Sequence, residues 1–313
     1  MRPRGRGALR RSCTGAPCGR LPAGQAAGGS PPHCPRALHR NFDQAFAFGL
    51  RRAEGSVVPE LPEVETVVRA LRPHIEGRVL ESTEAYDPAL LPGIKPLSLP
   101  AQVRRLARRG KYILIELEKG TLVVHLRMSG RLVWCKMGVP EGRVRLALRF
   151  PHGSLQLVDR RRLATVEFVK KFEKPLGPEP FGDLSWLLYA LAKSRMPIKA
   201  WLLDQRKIAG IGNIYAAEIL FRAGIDPRRP ARSLTKGEVQ RLVKAIPEVL
   251  EEAIAGRGTT LPDAEYRAPT GELGAFQVKL AVYGQKVCQA CGTPIWRVKI
   301  AGRSTYFCPN CQR

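Results

Sequence analysis

Acidic residues are scarce in this chain: 27 Asp and Glu stand against 52 Lys and Arg, a formal net charge of +25. Such an excess favours a polyanionic partner, nucleic acid or a membrane surface, through counterion release. Long apolar runs are missing as well. The longest near the amino terminus, around Ala45–Leu50, is too short for a signal-peptide core, and no stretch can span a bilayer as a helix. Lysine is absent from the first 57 residues, which hold ten Arg, only two acids (Asp43 and Glu54) and abundant Gly, Pro and Ala. Their three cysteines, Cys13, Cys18 and Cys34, fit no metal template, and the Pro/Gly content argues against an amphipathic targeting helix. Four of the other five cysteines crowd the carboxyl terminus, which is metal usage rather than a disulfide framework and fits a reducing cytoplasm.

The region from Val103 onward reads as strands. Lys111 to Leu117 is apolar and β-branched, Lys119-Gly120 offers a turn, and Thr121 to Leu126 returns as the partner. Val144, Leu146, Leu148 and Phe150 alternate with Arg143, Arg145, Ala147 and Arg149, which predicts a half-buried strand with one basic face. Leu155 to Val158 follows across Pro151-His152-Gly153. The hairpins predict a β-sandwich with an opening helix at one edge.

Around Pro175-Leu176-Gly177-Pro178-Glu179-Pro180 the composition shifts and helical patterns begin. Leu184 to Ala192 reads as one helix and Pro197 opens another. The turn Gly210-Ile211-Gly212 comes next, with Asn213 placed to cap a helix that runs to Ala223 and stops at Gly224. Thr235-Lys236-Gly237-Glu238 is a capping box for a long helix that ends at Gly256 and is expected to kink at Pro247. Last, Cys288-x-x-Cys291 and Cys308-x-x-Cys311, with sixteen residues between, have zinc-ribbon spacing. Four thiolates saturate a tetrahedral ion, so the expected metal is one structural Zn²⁺. Two short strands, Trp296–Ile300 and Ser304–Phe307, flank Ala301-Gly302-Arg303, with Arg303 at the hairpin tip.

The opening helix begins in Val58-Pro59-Glu60-Leu61-Pro62-Glu63-Val64-Glu65-Thr66. From Pro62 it has proline in the first turn, acids at the positive end of the dipole, Val64, Val67, Val68 and Leu71 at helical spacing, and Gly77 as a stop. The string closely resembles the amino terminus of the bacterial formamidopyrimidine-DNA glycosylase family. The glycine turn and the paired C-x-x-C knuckles are similar to that family too, so the resemblance runs from Val58 to Gln312. It implies an α+β protein in three modules: a catalytic β-sandwich domain over 58–174, a helix–two-turn–helix DNA-binding domain over 175–274, and a zinc-ribbon hairpin over 275–313.

The resemblance also implies an activity, the excision of oxidised purines (8-oxoguanine and formamidopyrimidines) from duplex DNA followed by nicking of the abasic site. Pro59 would be the nucleophile through a free amine and Glu60 the acid, with Lys111 and Arg303 on phosphate at the damaged nucleotide. Met128 would fill the gap left by the extruded base, Arg161 would reach the orphaned base, Arg162 would bind phosphate, and Leu163 would wedge beside them. Lys199 and Asn213 would hold the phosphates flanking the lesion. The family closes a loop over the flipped base, and Thr259 to Gly274 occupies that place. The chain departs from the family's D-P-R-R-F-G loop: Arg160, Leu163 and Ala164 stand where proline, the aromatic and glycine are usual. Leucine wedges but stacks less well than a ring.

A proline inside a chain is a tertiary amide and attacks nothing. Valine at position 58 corresponds to GUG, a common alternative bacterial start, so translation is expected to begin there. Residues 1–57 would then be a mis-called or disordered extension, and removal of the initiator would free the Pro59 amine. The expected product is a monomer in the bacterial cytoplasm, associated with the nucleoid and bound to no membrane. Two other readings stay open: a relative of endonuclease VIII acting on oxidised pyrimidines, against which Leu61 speaks, and a non-catalytic DNA-binding protein if Pro59 stays blocked.

Overall fold

The structure is a computed structural model and describes residues 58–136, 143–261 and 266–313. The 1–57 extension lies outside the described residues. Helix α1 (Leu61–Ile75) starts one residue before the expected Pro62, with Glu60 extended at its amino end and Gly77 at φ +76° just beyond it. Its buried stripe, Leu61, Val64, Val67, Val68, Leu71 and Ile75, recurs at helical spacing. Each of those side chains contributes roughly 1.5–3 kcal/mol when taken out of water.

Two antiparallel sheets follow. One contains β1 (Val79–Leu80), β3 (Ala101–Arg109), β4 (Tyr112–Leu117), β5 (Gly120–His125) and β9 (Thr165–Val169), in the order β1-β3-β4-β5-β9. The other contains β2 (Ser82–Ala85), β6 (Arg131–Cys135), β7 (Val144–Phe150) and β8 (Gly153–Val158), in the order β2-β7-β8-β6. A short helix, α2 (Leu91–Ile94), lies between β2 and β3 in the chain. Alternate residues of both sheets, among them Ile113, Ile115, Leu122, Leu146, Leu148 and Leu157, join Val64, Val67, Val68, Leu71 and Ile75 of α1 in one core. This is the expected sandwich with a helix against it.

The basic face predicted for β7 is corrected by the structure. Arg145 is 5% exposed, not solvated. Its guanidinium donates to Asp87 Oδ2 at 2.7 Å, Asp159 Oδ2 at 3.3 Å and the Ala164 carbonyl at 2.7 Å. A buried arginine without such partners would cost several kcal/mol, about 3–5 when one partner is removed. Alternation reads which face a side chain takes, but not whether that face is later covered.

The second core belongs to helices α3 (Leu187–Ala192), α4 (Ile198–Leu203), α5 (Asn213–Ala223) and α6 (Lys236–Ala255). The first starts three residues later than Leu184, because Asp183 accepts from Ser185 N and closes a local turn instead. Helix α5 ends at Gly224 in the left-handed region, and α6 opens with the expected Thr235–Glu238 capping box and continues through Pro247. Strands β10 (Trp296–Ile300) and β11 (Arg303–Phe307) form the terminal hairpin. Arg303 pairs with Ile300 across a two-residue turn, Ala301-Gly302, with φ +48° and +73°. It therefore opens β11 beside the tip and is not at the tip itself. Among the described residues no helix is long and apolar enough to cross a membrane.

Candidate active site and metal centre

The site is assembled where the start of α1 meets the start of α5. Pro59 and Glu60 are buried there. The Glu60 carboxylate faces the first turn of α5, accepting from Ile214 N at 3.0 Å and Tyr215 N at 3.3 Å. A helix amino terminus suits an anion because its free N–H groups and dipole point at it. The two chains approach so closely that only glycine fits in the turn. A Cβ on Gly212 would lie 2.1 Å from Glu60 Cδ, and one on Gly210 would lie 2.4 Å from Leu61 Cδ1. Leu61 N closes the contact by donating to the Gly210 carbonyl at 3.1 Å.

The expected Asn213 cap is corrected at this point. Gly212 is the N-cap of α5, and Glu60, more than a hundred residues away, supplies the acceptor that a local cap would have supplied. Asn213 is thereby released, and its Nδ2 donates to the Ser304 carbonyl of β11 at 3.1 Å. Lys199 Nζ reaches the same carbonyl at 3.4 Å. Lys199 is fully buried, and Asn213 Oδ1 is buried without a partner among the described residues.

A second carboxylate, Glu63, completes the pocket floor, although its sequence position marks it only as a first-turn acid. It accepts from Glu60 N at 2.9 Å, Tyr215 Oη at 2.5 Å and Thr259 N at 2.7 Å. It thus ties the start of α1 to α5 and to the loop after α6. Burial pushes the Glu63 carboxyl up, the neighbouring Glu60 charge adds to this, and the result is about 7. Burial also raises Glu60, more than Lys111 and the α5 N–H groups lower it. The buried pair therefore holds a proton more readily than ordinary carboxyls do.

Lys111 follows the β3–β4 bend and is half-buried. Burial lowers its ammonium below the ordinary lysine value, Arg303 pushes the same way, and Glu60 and Glu63 oppose. Lys199 is lowered to about 7, chiefly by burial. The charges of Glu60 and Arg303 act on both lysines, so residues from four separate segments converge.

Lys199 carries a pH prediction. A phosphate brought to Nζ favours the charged ammonium, so binding raises a value that starts near 7. Above about pH 7 the free protein must then take up a proton to bind, and affinity falls as pH rises. Calorimetry in buffers of differing ionisation enthalpy should detect uptake approaching one proton near pH 8. Lys199→Met should abolish it, and unchanged uptake in that variant would assign the proton elsewhere.

Two further loops carry the other expected DNA-contacting residues. Met128 lies half-buried in the β5–β6 loop, and Arg161, Arg162 and Leu163 are exposed in the β8–β9 loop, Leu163 at 39%. Asp159 joins the two: it accepts from Ser129 Oγ at 2.6 Å, Arg161 N at 3.1 Å and Ala164 N at 2.7 Å. Arg162, with a left-handed φ of +57°, bonds the Asp87 carboxylate that also holds Arg145.

At the ribbon, the Sγ atoms of Cys288, Cys291, Cys308 and Cys311 all lie within 4.8 Å of one another. The pairs Cys288–Cys311 and Cys291–Cys308 are 3.8 and 3.5 Å apart. Four sulfurs about 2.3 Å from a tetrahedral Zn²⁺ are about 3.8 Å apart, so the cluster is the site of one zinc ion. The ribbon is docked on the end of α5. Gln312 accepts from Cys308 N and donates to the Ile225 carbonyl, each at 2.9 Å, and Glu218 of α5 receives Ala281, Val282 and Tyr283 N–H groups.

Family models match three consecutive regions: the formamidopyrimidine-DNA glycosylase N-terminal domain at 58–166, its H2TH domain at 176–263, and the zinc finger found in FPG and IleRS at 285–313. Formamidopyrimidine-DNA glycosylase of Desulfitobacterium hafniense is 42% identical over 274 residues, covering 82% of this chain and 100% of that protein. The Paracoccus denitrificans enzyme is 45% identical over 286 residues, with the same coverage. The crystal structure of the MutM (Fpg) protein of Thermus thermophilus superposes with a TM-score of 0.74 at 43% identity, covering 81% of this chain and 98% of that one. A Lactococcus lactis Fpg in complex with abasic-site DNA gives 0.74 at 35% identity, over 81% and 99%. The fold and the thiolate cluster are thus those of a zinc-finger DNA glycosylase. The chain belongs to the formamidopyrimidine-DNA glycosylase family.

Proposed function

We propose that the protein excises oxidised purines from duplex DNA and then cleaves the abasic site, acting through the amine of Pro59 in a form that begins at that residue. The observation that carries this reading is the buried Glu60 carboxyl, held beside Pro59 by the first turn of α5 with its proton affinity raised. The structures of Lactococcus lactis Fpg with Fapy-dG DNA support the lesion class. The +25 charge suits a duplex partner.

The target base must leave the stack to be reached. The Pro59 nitrogen then attacks the sugar C1′, the bond from C1′ to the base breaks with its electron pair on the base, the amine proton passes to the departing base, and the freed nitrogen lone pair opens the sugar as Glu60 protonates the ring oxygen. The iminium so formed draws electrons from C2′. Loss of a C2′ proton expels the 3′ phosphate, and a second elimination expels the 5′ phosphate. A raised pKa suits the acid step, since it keeps more of the carboxyl protonated than in an ordinary glutamate. Lys111, Arg303, Lys199 and Asn213 would hold the phosphates around the lesion, a role that fits their convergence on the Ser304 carbonyl and the Glu60 pocket.

Met128, Arg161 and Leu163 would enter the duplex as the base leaves, with Arg162 on phosphate. Apolar wedges offset unstacking, which costs a few kcal/mol. Protein beginning at Pro59 is expected to release 8-oxoguanine and nick the strand faster than it processes an oxidised-pyrimidine duplex. That second substrate is the proper rival, because one solved Lactococcus lactis Fpg complex contains an oxidised pyrimidine. A preference for the pyrimidine would overturn the purine reading. Met128→Ala should slow excision by about tenfold, and Leu163→Ala less, with both leaving cleavage of a preformed abasic site nearly unchanged. Equal slowing on both substrates would make Met128 a packing residue.

A further inference from the structure

The proline-rich segment between the two cores is bonded to both. Gly177 N donates to the Gln205 carbonyl at 2.8 Å, and Ala209 N donates to the Pro178 carbonyl at 2.9 Å. A Cβ on Gly177 would come within 2.4 Å of the Lys207 carbonyl carbon, so the segment is seated directly on the chain leading into the Gly210–Gly212 turn. From this seat Glu179 reaches back to the β3–β4 bend. One of its carboxylate oxygens accepts from Gly110 N and from the Arg109 guanidinium, each at 2.7 Å. The other accepts from Arg108 at 2.5 Å. Arg109 also donates to the Gly177 and Leu176 carbonyls, and Arg108, mostly buried, reaches Glu65 of α1 at 2.9 Å.

The next residue in the chain is Lys111. Charge-assisted hydrogen bonds are about twice as strong as neutral ones, and three donors on one carboxylate define its place closely. Gly110 turns at φ +56°, where an N–H fixed by Glu179 also fixes the direction in which the chain leaves toward Lys111. We propose that Glu179 is a positioning residue for Lys111, registering the β3–β4 bend against the glycine turn that leads into the donors of Glu60. Packing alone would not require an ionised side chain to receive a backbone N–H and two guanidiniums at this one point.

The proposal rests on the reading that Lys111 works at the damaged nucleotide, and the test separates the two. It uses protein beginning at Pro59, the part that solved relatives match over 98–100% of their own length. Single-turnover excision and equilibrium affinity are measured for Glu179→Ala, Glu179→Gln, Lys111→Ala and the Glu179→Ala/Lys111→Ala double variant. Misplacement by about 1 Å costs up to about a hundredfold in rate, so Glu179→Ala should slow excision by roughly tenfold to a hundredfold with affinity changed by less than about threefold. Glu179→Gln still accepts the Gly110 N–H and should recover part of the rate. In the Lys111→Ala background Glu179→Ala should add little. The same slowing in both backgrounds would overturn the positioning role while leaving Lys111 its function. A Lys111→Ala variant with the parent rate would overturn both. Should Glu179→Ala melt below the assay temperature, the same cycle with Glu179→Gln decides the question.

Discussion

Protein that begins at Pro59 is expected to form a covalent complex with 8-oxoguanine duplex that borohydride traps, and the full 313-residue chain is expected to form none. The difference lies in one lone pair. An α-amino group has a pKa of about 7.7–8.0 against about 10.4 for lysine, so roughly a tenth of it is a free base at pH 7 without further activation. Acylated by Val58, the same nitrogen has no basic lone pair. The pocket around it does not depend on the amine. Glu60 keeps its α5 donors, and Lys199 and Asn213 keep the Ser304 carbonyl, so the long chain should still bind damaged duplex. Pro59→Gly in the short form retains a primary amine and should trap in part. Efficient trapping by intact, sequence-verified long protein would remove the terminal amine from the mechanism. Lys111, with its ammonium lowered by burial, would be the first replacement to test.

Cys308→Ser is expected to lose bound zinc and most DNA affinity. Structural zinc contributes about 10–16 kcal/mol in finger peptides, because binding energy and folding energy are one quantity there. The consequence reaches past the ribbon. Strand β11 carries both Arg303 and the Ser304 carbonyl on which Lys199 and Asn213 converge. Loosening the hairpin therefore disperses three groups at once. Metal content by mass spectrometry under native conditions, read beside duplex affinity, decides the matter. Stoichiometric zinc with parent affinity would show that three thiolates suffice. The sandwich core, which shares no ligand with the ribbon, should retain its own melting transition.

The elements of this fold were legible wherever one local rule governs them. Periodicity placed α1 and the hairpin strands, capping chemistry placed α6, and cysteine spacing placed the zinc site. Legibility failed where distant chain meets distant chain. Asn213 has the chemistry of an N-cap and sits within a residue of that position, yet Glu60 takes the task and frees it for another. Arg145 alternates as a solvent-facing residue, and only the arrival of Asp87 and Asp159 from other segments makes burial tolerable. Tyr215 and Thr259 carry no local signal of their own, and Glu63 carries only that of a first-turn acid. The hydrogen bonds among these three span more than 40 positions along the chain in the nearest pair and more than 190 in the farthest. Glu179 was visible only as part of a boundary, because proline and glycine announce a break in regular structure and are silent about what the break is bonded to.

The 2.1 Å separation between Glu60 Cδ and the position a Gly212 Cβ would take has an evolutionary consequence. The acid is encoded more than 150 codons before its N–H donors, which lie in a segment that packs into a different core. Recombination that exchanged either half for that of a distant relative would have to import a glycine and a glutamate that match to within a fraction of an ångström. The halves that meet at this contact are therefore expected to be exchangeable only as a matched pair.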